Sequence, residues 1–368
     1  MAPTNNAAFL QAKGTPLKIK PSKYTSPGKY EVVIRNAAVA INPYDWIIQE
    51  ANNLVVPWVK LPVILGTDVA GEVVEVGQGV TRFKVGDRVV AFALGLAKEV
   101  NKISEGGFQE YTVVRSDTTT ILPDSMSFET ASVMPLGLST AACALFQKDF
   151  LALPHPTTTP EPTGKTVLIW GGSTSVGCNA IQLAVAAGCE VITTASPKNH
   201  NYLKSLGASK IFDYKSKTVV SDIITAFENR IAAGAISIGS GSYLKCIEIL
   251  GAVKGNKFVA QATLDLPPFP KGLFDFPPFL FAFMSATIKG KVQTAINGVK
   301  AKMINGSDLG QSEVGAAIFK DYLPKALADQ KFIPAPEPQI VGKGLEHVQE
   351  AMDMNKRGVS AKKLVVTL

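Results

Sequence analysis

The chain has 368 residues, enough for two domains with separate cores and more than a small stapled module needs. At 46% hydrophobic and 18% charged it has a globular composition, and no run approaches the roughly 18 apolar residues of a membrane span. The net charge of +7 comes from scattered lysines without a long basic run, which argues against nucleic acid and fits attraction to an anionic cofactor and substrate.

Met1-Ala2-Pro3-Thr4-Asn5-Asn6 has neither the basic n-region nor the apolar h-region of a secretory signal, so a cytoplasmic protein is expected. Short β-rich runs at residues 17–19, 30–35 and 38–41 alternate with Gly and Pro turns, an all-β texture. Asn42-Pro43-Tyr44-Asp45-Trp46 follows. Glycine-punctuated strands come next, around Gly66-Thr67-Asp68-Val69-Ala70-Gly71, Phe83-Lys84-Val85-Gly86-Asp87-Arg88 and Gly106-Gly107-Phe108. Their density suggests a closed or nearly closed β-barrel. Residues 134–142 open a helix, and residues 153–162, with His155 between prolines, read as an exposed loop.

The stretch that says most about function begins at Gly164. Val167 to Trp170 is apolar without alternation, as in a parallel strand buried on both faces. The turn Gly171-Gly172-Ser173-Thr174-Ser175-Val176-Gly177 leads into a helix that Gly188 stops, and residues 190–194 form a second strand. Backbone N–H groups of such a turn and the helix N-terminus can hold a pyrophosphate, which makes Gly172, Ser173, Thr174, Ser175, Val176 and Gly177 cofactor candidates. The pattern G-x-G-x-x-G would put glycine at 174, where this chain has threonine, so a plain tight turn stays open as an alternative.

The end of the second strand selects the dinucleotide. An NAD site offers a carboxylate about 20 residues beyond the turn for the ribose 2′-hydroxyl. Here Thr194-Ala195-Ser196-Pro197-Lys198-Asn199 offers hydroxyl, ammonium and amide instead, and Tyr214, after a strand at 210–212, adds a phenol. These groups bind a 2′-phosphate that a carboxylate would repel, so Ser196, Lys198, Asn199 and Tyr214 are expected to select NADPH over NADH; ordinary surface roles for Lys198 and Tyr214 stay open.

Alternation then continues with helices at 219–227 and 243–250 and strands at 235–238 and 257–261. Strand ends on one edge of a doubly wound sheet face the ligand crevice, which makes Ile238, Gly239, Gln261 and Ala262 candidate nicotinamide neighbours. Residues 266–284 hold six of the 18 phenylalanines among several prolines, which argue against a regular helix across the first half. That segment can line a cleft for an apolar substrate, meet a partner subunit or pack into a core. Residues 286–294 read as a strand, 314–328 as an amphipathic helix, 330–338 as an extended crossing, 345–354 as a helix and 364–368 as a final strand. Cys143, Cys178, Cys189 and Cys246 lie far apart without C-x-x-C spacing and read as buried thiols. His155, His200 and His347 lack a paired nucleophile, so a Ser-His-Asp hydrolase has little support.

Taken in order, N-P-x-D at Asn42, G-x-D-x-A-G at Gly66, F-x-x-G-D-R-V at Phe83, G-x-x-x-E-Y at Gly106, L-x-T-A at Leu138 and the glycine turn resemble the medium-chain dehydrogenase/reductase superfamily across nearly the whole chain. The nearest resemblance is to fungal proteins called zinc-binding dehydrogenases, close to quinone oxidoreductases and trans-acting enoyl reductases. It implies an α/β architecture: a GroES-like β-barrel catalytic domain at residues 1–138 and 307–368, flanking a Rossmann domain with a doubly wound parallel sheet at 139–306. It further implies that Thr140 lies beside the nicotinamide, that Ser360 and Lys362 come near the cofactor, and that the strand expected at 286–294 pairs across a homodimer.

The same resemblance sets Asn42, Thr67 and Leu136 where zinc alcohol dehydrogenases have their cysteine, histidine and cysteine ligands. None can replace its counterpart, because zinc favours thiolate and imidazole, so no metal is expected and Asn42 is placed among the cofactor contacts. The structural zinc lobe is also missing, replaced by residues 94–107. Without a Lewis acid the easier chemistry is hydride delivery from NADPH to an activated C=C bond of a small apolar enone, enoyl or quinone substrate. Tyr44, where zinc members have their proton-relay hydroxyl, is the candidate proton donor or a wall of the cleft. A metal-free carbonyl reductase and a non-catalytic NADPH-binding protein stay open beside this reading.

Overall fold

Antiparallel pairing dominates the first part of the chain and parallel pairing its middle, while at the end the last two strands pair in parallel and the last runs antiparallel to the third. The computed structural model describes every residue except Met1, Ala2, Leu266, Pro268 and Lys271, and only the backbone of Asn53 and Leu273; the reading of the chain's start and of segment 266–284 therefore lies partly outside the described residues. Two units result, Met1–Ser139 with Ser307–Leu368, and Thr140–Gly306. In chain order the strands are β1 (Asn5–Leu10), β2 (Lys18–Ser22), β3 (Glu31–Ala40), β4 (Val63–Ile64), β5 (Asp68–Val76), β6 (Arg88–Phe92), β7 (Tyr111–Arg115) and β8 (Thr119–Ile121). There follow β9 (Lys165–Trp170), β10 (Glu190–Thr194), β11 (Lys210–Phe212), β12 (Ile231–Ser237), β13 (Phe258–Gln261), β14 (Lys300–Met303), β15 (Glu337–Lys343) and β16 (Lys362–Thr367).

In the first unit β15-β16-β3-β5-β6-β8 form one sheet, with β7 on β3, and β2-β1-β4 a smaller one. The final strand closes back on the first part of the chain: β16 runs antiparallel to β3 with Val365 opposite Ala40, while β5 pairs with β3 from the other side with Asp68 opposite Ala40. Ile34, Val39, Val69, Leu364 and Val366 fill a core that also takes Ile48, Leu65, Phe108 and Val348. Asn42, two residues past Ala40, is thereby flanked by the start of β5 and by Lys363.

The second unit is a six-stranded sheet in the order β11-β10-β9-β12-β13-β14, parallel throughout. Helices Ser175–Ala186, His200–Ser205, Val219–Ala226 and Ser242–Ala252 connect its strands, and the unalternated run Val167, Leu168, Ile169 is fully buried, as both-face coverage requires.

One expectation is corrected. Residues 286–294 are not a strand but the middle of a 22-residue helix, Phe276–Asn297. Thr287, Ile288, Val292 and Thr294 favour strands by their branched Cβ atoms. Pro277 and Pro278, however, sit in the first turn, where a helix needs no N–H partner, so they start it rather than break it. The edge of the parallel sheet is β14 instead. The helix expected at 314–328 is present as one continuous run, Glu313–Ala316, a π-helical Ala317–Tyr322 and Leu323–Ala328.

Candidate dinucleotide site and a buried charge cluster

At the end of β9 the chain turns through Gly171 at φ +90°, and Thr174 caps the following helix. Thr174 Oγ1 accepts from the Gly177 amide at 3.0 Å and donates to the Gly171 carbonyl at 2.8 Å. The threonine that breaks the glycine pattern is thus the N-cap, a position that favours a hydroxyl and needs no positive φ. The two glycines either side of it are required by space. A Cβ on Gly172 would lie 2.3 Å from Thr193 Oγ1, and one on Gly177 2.3 Å from the Gly171 carbonyl oxygen.

Ser175 and Val176 open the helix, so their amides have no carbonyl a turn behind them to bond. The Ser175 hydroxyl is buried without a hydrogen-bond partner among the described residues. A close-packed backbone, open amides and an unmatched hydroxyl at a helix N-terminus suit a phosphate.

Thr194 turns inward. Its Oγ1 accepts from the Gly171 amide at 3.0 Å and its carbonyl from the Gly172 amide at 2.9 Å, so it pins the turn instead of facing a ribose. Past it, Ser196 Oγ reaches Tyr214 Oη at 3.5 Å, Lys198 stands exposed in the turn Pro197–Asn199, and Asn199 is buried. No acidic residue occurs from Val191 to Phe212, and the nearby Asp213 accepts from the Lys215 amide at 3.0 Å.

Ile238, Gly239, Gln261 and Ala262 fall at the ends of β12 and β13, on the same sheet edge as the turn. Gly239, at φ +93°, donates its amide to Thr263 Oγ1 at 3.1 Å, and Ala262 donates to the Ser237 carbonyl at 2.9 Å.

The first unit holds a cluster the sequence did not reveal. Among the described residues Lys363 is the one lysine counted in the buried interior, and its Nζ lies 2.9 Å from Oδ2 of the fully buried Asp68. Nζ also donates to Asn42 Oδ1. Asn42 Nδ2 donates to Asp68 Oδ2 at 2.9 Å and to Thr67 Oγ1 at 3.2 Å, Thr67 Oγ1 donates to Asp68 Oδ1 at 3.3 Å, and the Leu136 amide donates to Asp68 Oδ1 at 2.7 Å. All three positions that the family resemblance sets against zinc ligands therefore converge on one carboxylate paired with an ammonium. The side chain of Asn42, expected among the cofactor contacts, is wholly engaged in this network.

Asn42 also starts the helix Pro43–Ala51, donating its backbone N–H to Asp45 Oδ2 at 2.7 Å. Burial, helped by the neighbouring Asp68 and opposed by the Asn42 and Gly66 amides and Lys363, pushes the Asp45 carboxyl up to about 7. Tyr44, next to it and mostly buried, is pushed up to about 12 by burial and by Asp45, so it remains a protonated phenol at neutral pH.

Lys362 is exposed and pairs with Glu337 on β15, while Lys363, on the opposite face of β16 from Leu364 and Val366, is buried on the same face as Val365. Ser360 is exposed in the turn before β16, and Thr140 is half-buried in the helix Pro135–Phe146. Among the described residues no group of three or more His, Cys, Asp or Glu side chains could hold a metal ion, and no helix is long and apolar enough to cross a membrane.

The family described as alcohol dehydrogenase GroES-like domain matches residues 28–124, and the one described as zinc-binding dehydrogenase matches residues 175–300. The dehydrogenase pigH of Monascus ruber is 52% identical over 369 residues, covering 100% of both chains. The chain belongs to the medium-chain dehydrogenase/reductase superfamily. The trans-enoyl reductase himH of Aspergillus japonicus is another relative, 39% identical over 99% of this chain and 97% of its own. Two solved structures share the fold: CurK enoyl reductase, with a TM-score of 0.73 at 20% identity over 99% of each chain, and a quinone oxidoreductase of Pseudomonas syringae pv. Tomato DC3000, with 0.72 at 22% identity over 99% of this chain and 100% of its own. As in other medium-chain dehydrogenases/reductases, the barrel-like unit accompanies a Rossmann-like parallel sheet, and the superfamily's oxidoreductases use nicotinamide cofactors.

Proposed function

We propose that this protein reduces an activated C=C bond of a small apolar enone, enoyl thioester or quinone with NADPH and without a metal ion. The observation that carries the metal-free reading is the Lys363 ammonium bonded to Asn42, one of the three positions that the family resemblance sets against zinc ligands, and to Asp68, which follows a second of them, Thr67. Zinc takes thiolate, imidazole or carboxylate donors. Here one such position offers an amide already engaged, another a hydroxyl, and the third a leucine, with a fixed cation among them. These residues do not fit a zinc ion.

The nicotinamide fits better. The turn at Gly171–Gly177 suits its pyrophosphate, and Ser196, Lys198 and Tyr214 suit a 2′-phosphate, with no acidic residue from Val191 to Phe212 and the neighbouring Asp213 accepting from the Lys215 amide. When bound, the reduced nicotinamide supplies the hydride. The protein supplies donors for the negative charge that then gathers on the substrate oxygen, and Tyr44, protonated at neutral pH, is the candidate for donating to it. Relatives named trans-enoyl reductase support a conjugated C=C bond as the acceptor.

The test is incubation of the purified protein with NADPH or NADH and a panel of enones, quinones and aldehydes. NADPH consumption with a saturated ketone or a hydroquinone as product is expected. Preference for NADH, or reduction of aldehydes alone, would overturn the proposal.

A further inference from the structure

A lone ammonium taken out of water is costly, and removing one partner of a buried ion pair leaves the other unmatched. Replacing both partners by neutral side chains is often harmless or stabilising, so packing gives no reason for Lys363 and Asp68 to be charged. The network around them is complete. Asp68 accepts from three neutral donors besides the ammonium, namely Asn42 Nδ2, Thr67 Oγ1 and the Leu136 amide.

That ammonium is linked to the candidate proton donor. Lys363 holds the Asn42 side chain, the Asn42 backbone is held by Asp45, and Tyr44 lies between them at the start of the helix Pro43–Ala51. The titratable and charged groups around Asp45 are Tyr44, Asp68 and Lys363, joined by the Asn42 and Gly66 amides.

We infer that Lys363 is the resident positive charge of the reaction, a positioning residue that fixes Asn42 and the Tyr44 helix and favours the negative charge gathering on the acceptor oxygen as hydride arrives. A preorganised charge in a dry interior acts without reorganising when charge develops, which a hydrated surface lysine cannot do. The inference rests on the proposed reductase activity and goes beyond it by naming what replaces the metal's charge.

Three proteins decide it: wild type, Lys363→Arg, and the charge-balanced double variant Lys363→Met/Asp68→Asn, which keeps an acceptor oxygen for the Leu136 amide. Thermal melts, NADPH affinity by fluorescence titration and turnover of the best acceptor are measured on each. The double variant is expected to melt within a few degrees of wild type and bind NADPH with unchanged Kd, yet to lose about 10- to 100-fold in kcat. Lys363→Arg should keep kcat within about threefold, since the charge persists. A folded double variant with wild-type kcat overturns the inference and leaves the reductase reading intact. Should the double variant fail to fold, the arginine variant decides, and a folded Lys363→Arg protein that loses turnover overturns a role for charge. A wild-type protein that reduces no acceptor overturns both.

Discussion

Lys363 Nζ lies 2.9 Å from Asp68 Oδ2 with both side chains buried, in a network where Asn42, Thr67 and the Leu136 amide supply the other donors to that carboxylate. The single change Lys363→Met strands a buried carboxylate and should cost about 3–5 kcal/mol of stability. Denaturant unfolding measures it. A loss under about 1 kcal/mol would mean that water or another cation reaches Asp68.

Asp45 gives stability a pH dependence whose sign is fixed. Its folded carboxyl, at about 7, holds a proton that the unfolded chain releases near the ordinary 3.8, so the wild type loses stability as pH rises through that window. Asp45→Asn, which cannot ionise, should flatten this slope, with its melting temperature gaining on wild type between pH 4 and pH 7. Parallel curves across that range would show that Asp45 ionises in the fold as freely as in the unfolded chain.

Gly177→Ala places a methyl 2.3 Å from the Gly171 carbonyl oxygen, with backbone rather than a flexible side chain in the way. A cost of about 1–3 kcal/mol and a clear weakening of NADPH binding are expected from melts and fluorescence titration. Unchanged affinity would place the pyrophosphate elsewhere.

Lys198→Ala removes a solvent-exposed ammonium from the end of β10. NADPH should bind roughly tenfold more weakly, and NADH about as before, because one charge-assisted hydrogen bond to the 2′-phosphate is lost. Equal weakening of both nucleotides would remove Lys198 from the 2′-phosphate site.

Much of this was legible in the sequence. The buried run Val167–Ile169, the turn and its helix could be read because a parallel strand and a phosphate turn impose local patterns. Thr174 breaks the glycine pattern, yet its hydroxyl caps the helix, a contact that spacing alone does not reveal. The partnership of Lys363 with Asp68 was not legible. It depends on β16 and β5 meeting β3 from opposite sides, nearly 300 residues apart in sequence, and on which of two adjacent lysines a strand buries. Local β-propensity at Ile288 and Val292 pointed to a strand, and the helix beginning at Phe276 overrode it.

The most direct measurement follows the transferred hydrogen. With NADPH deuterated at the transferring position of its dihydronicotinamide and an unlabelled enone, the product's NMR spectrum should show deuterium on the β-carbon of a saturated ketone. Deuterium on the carbinol carbon of an allylic alcohol would contradict C=C reduction and make the protein a carbonyl reductase.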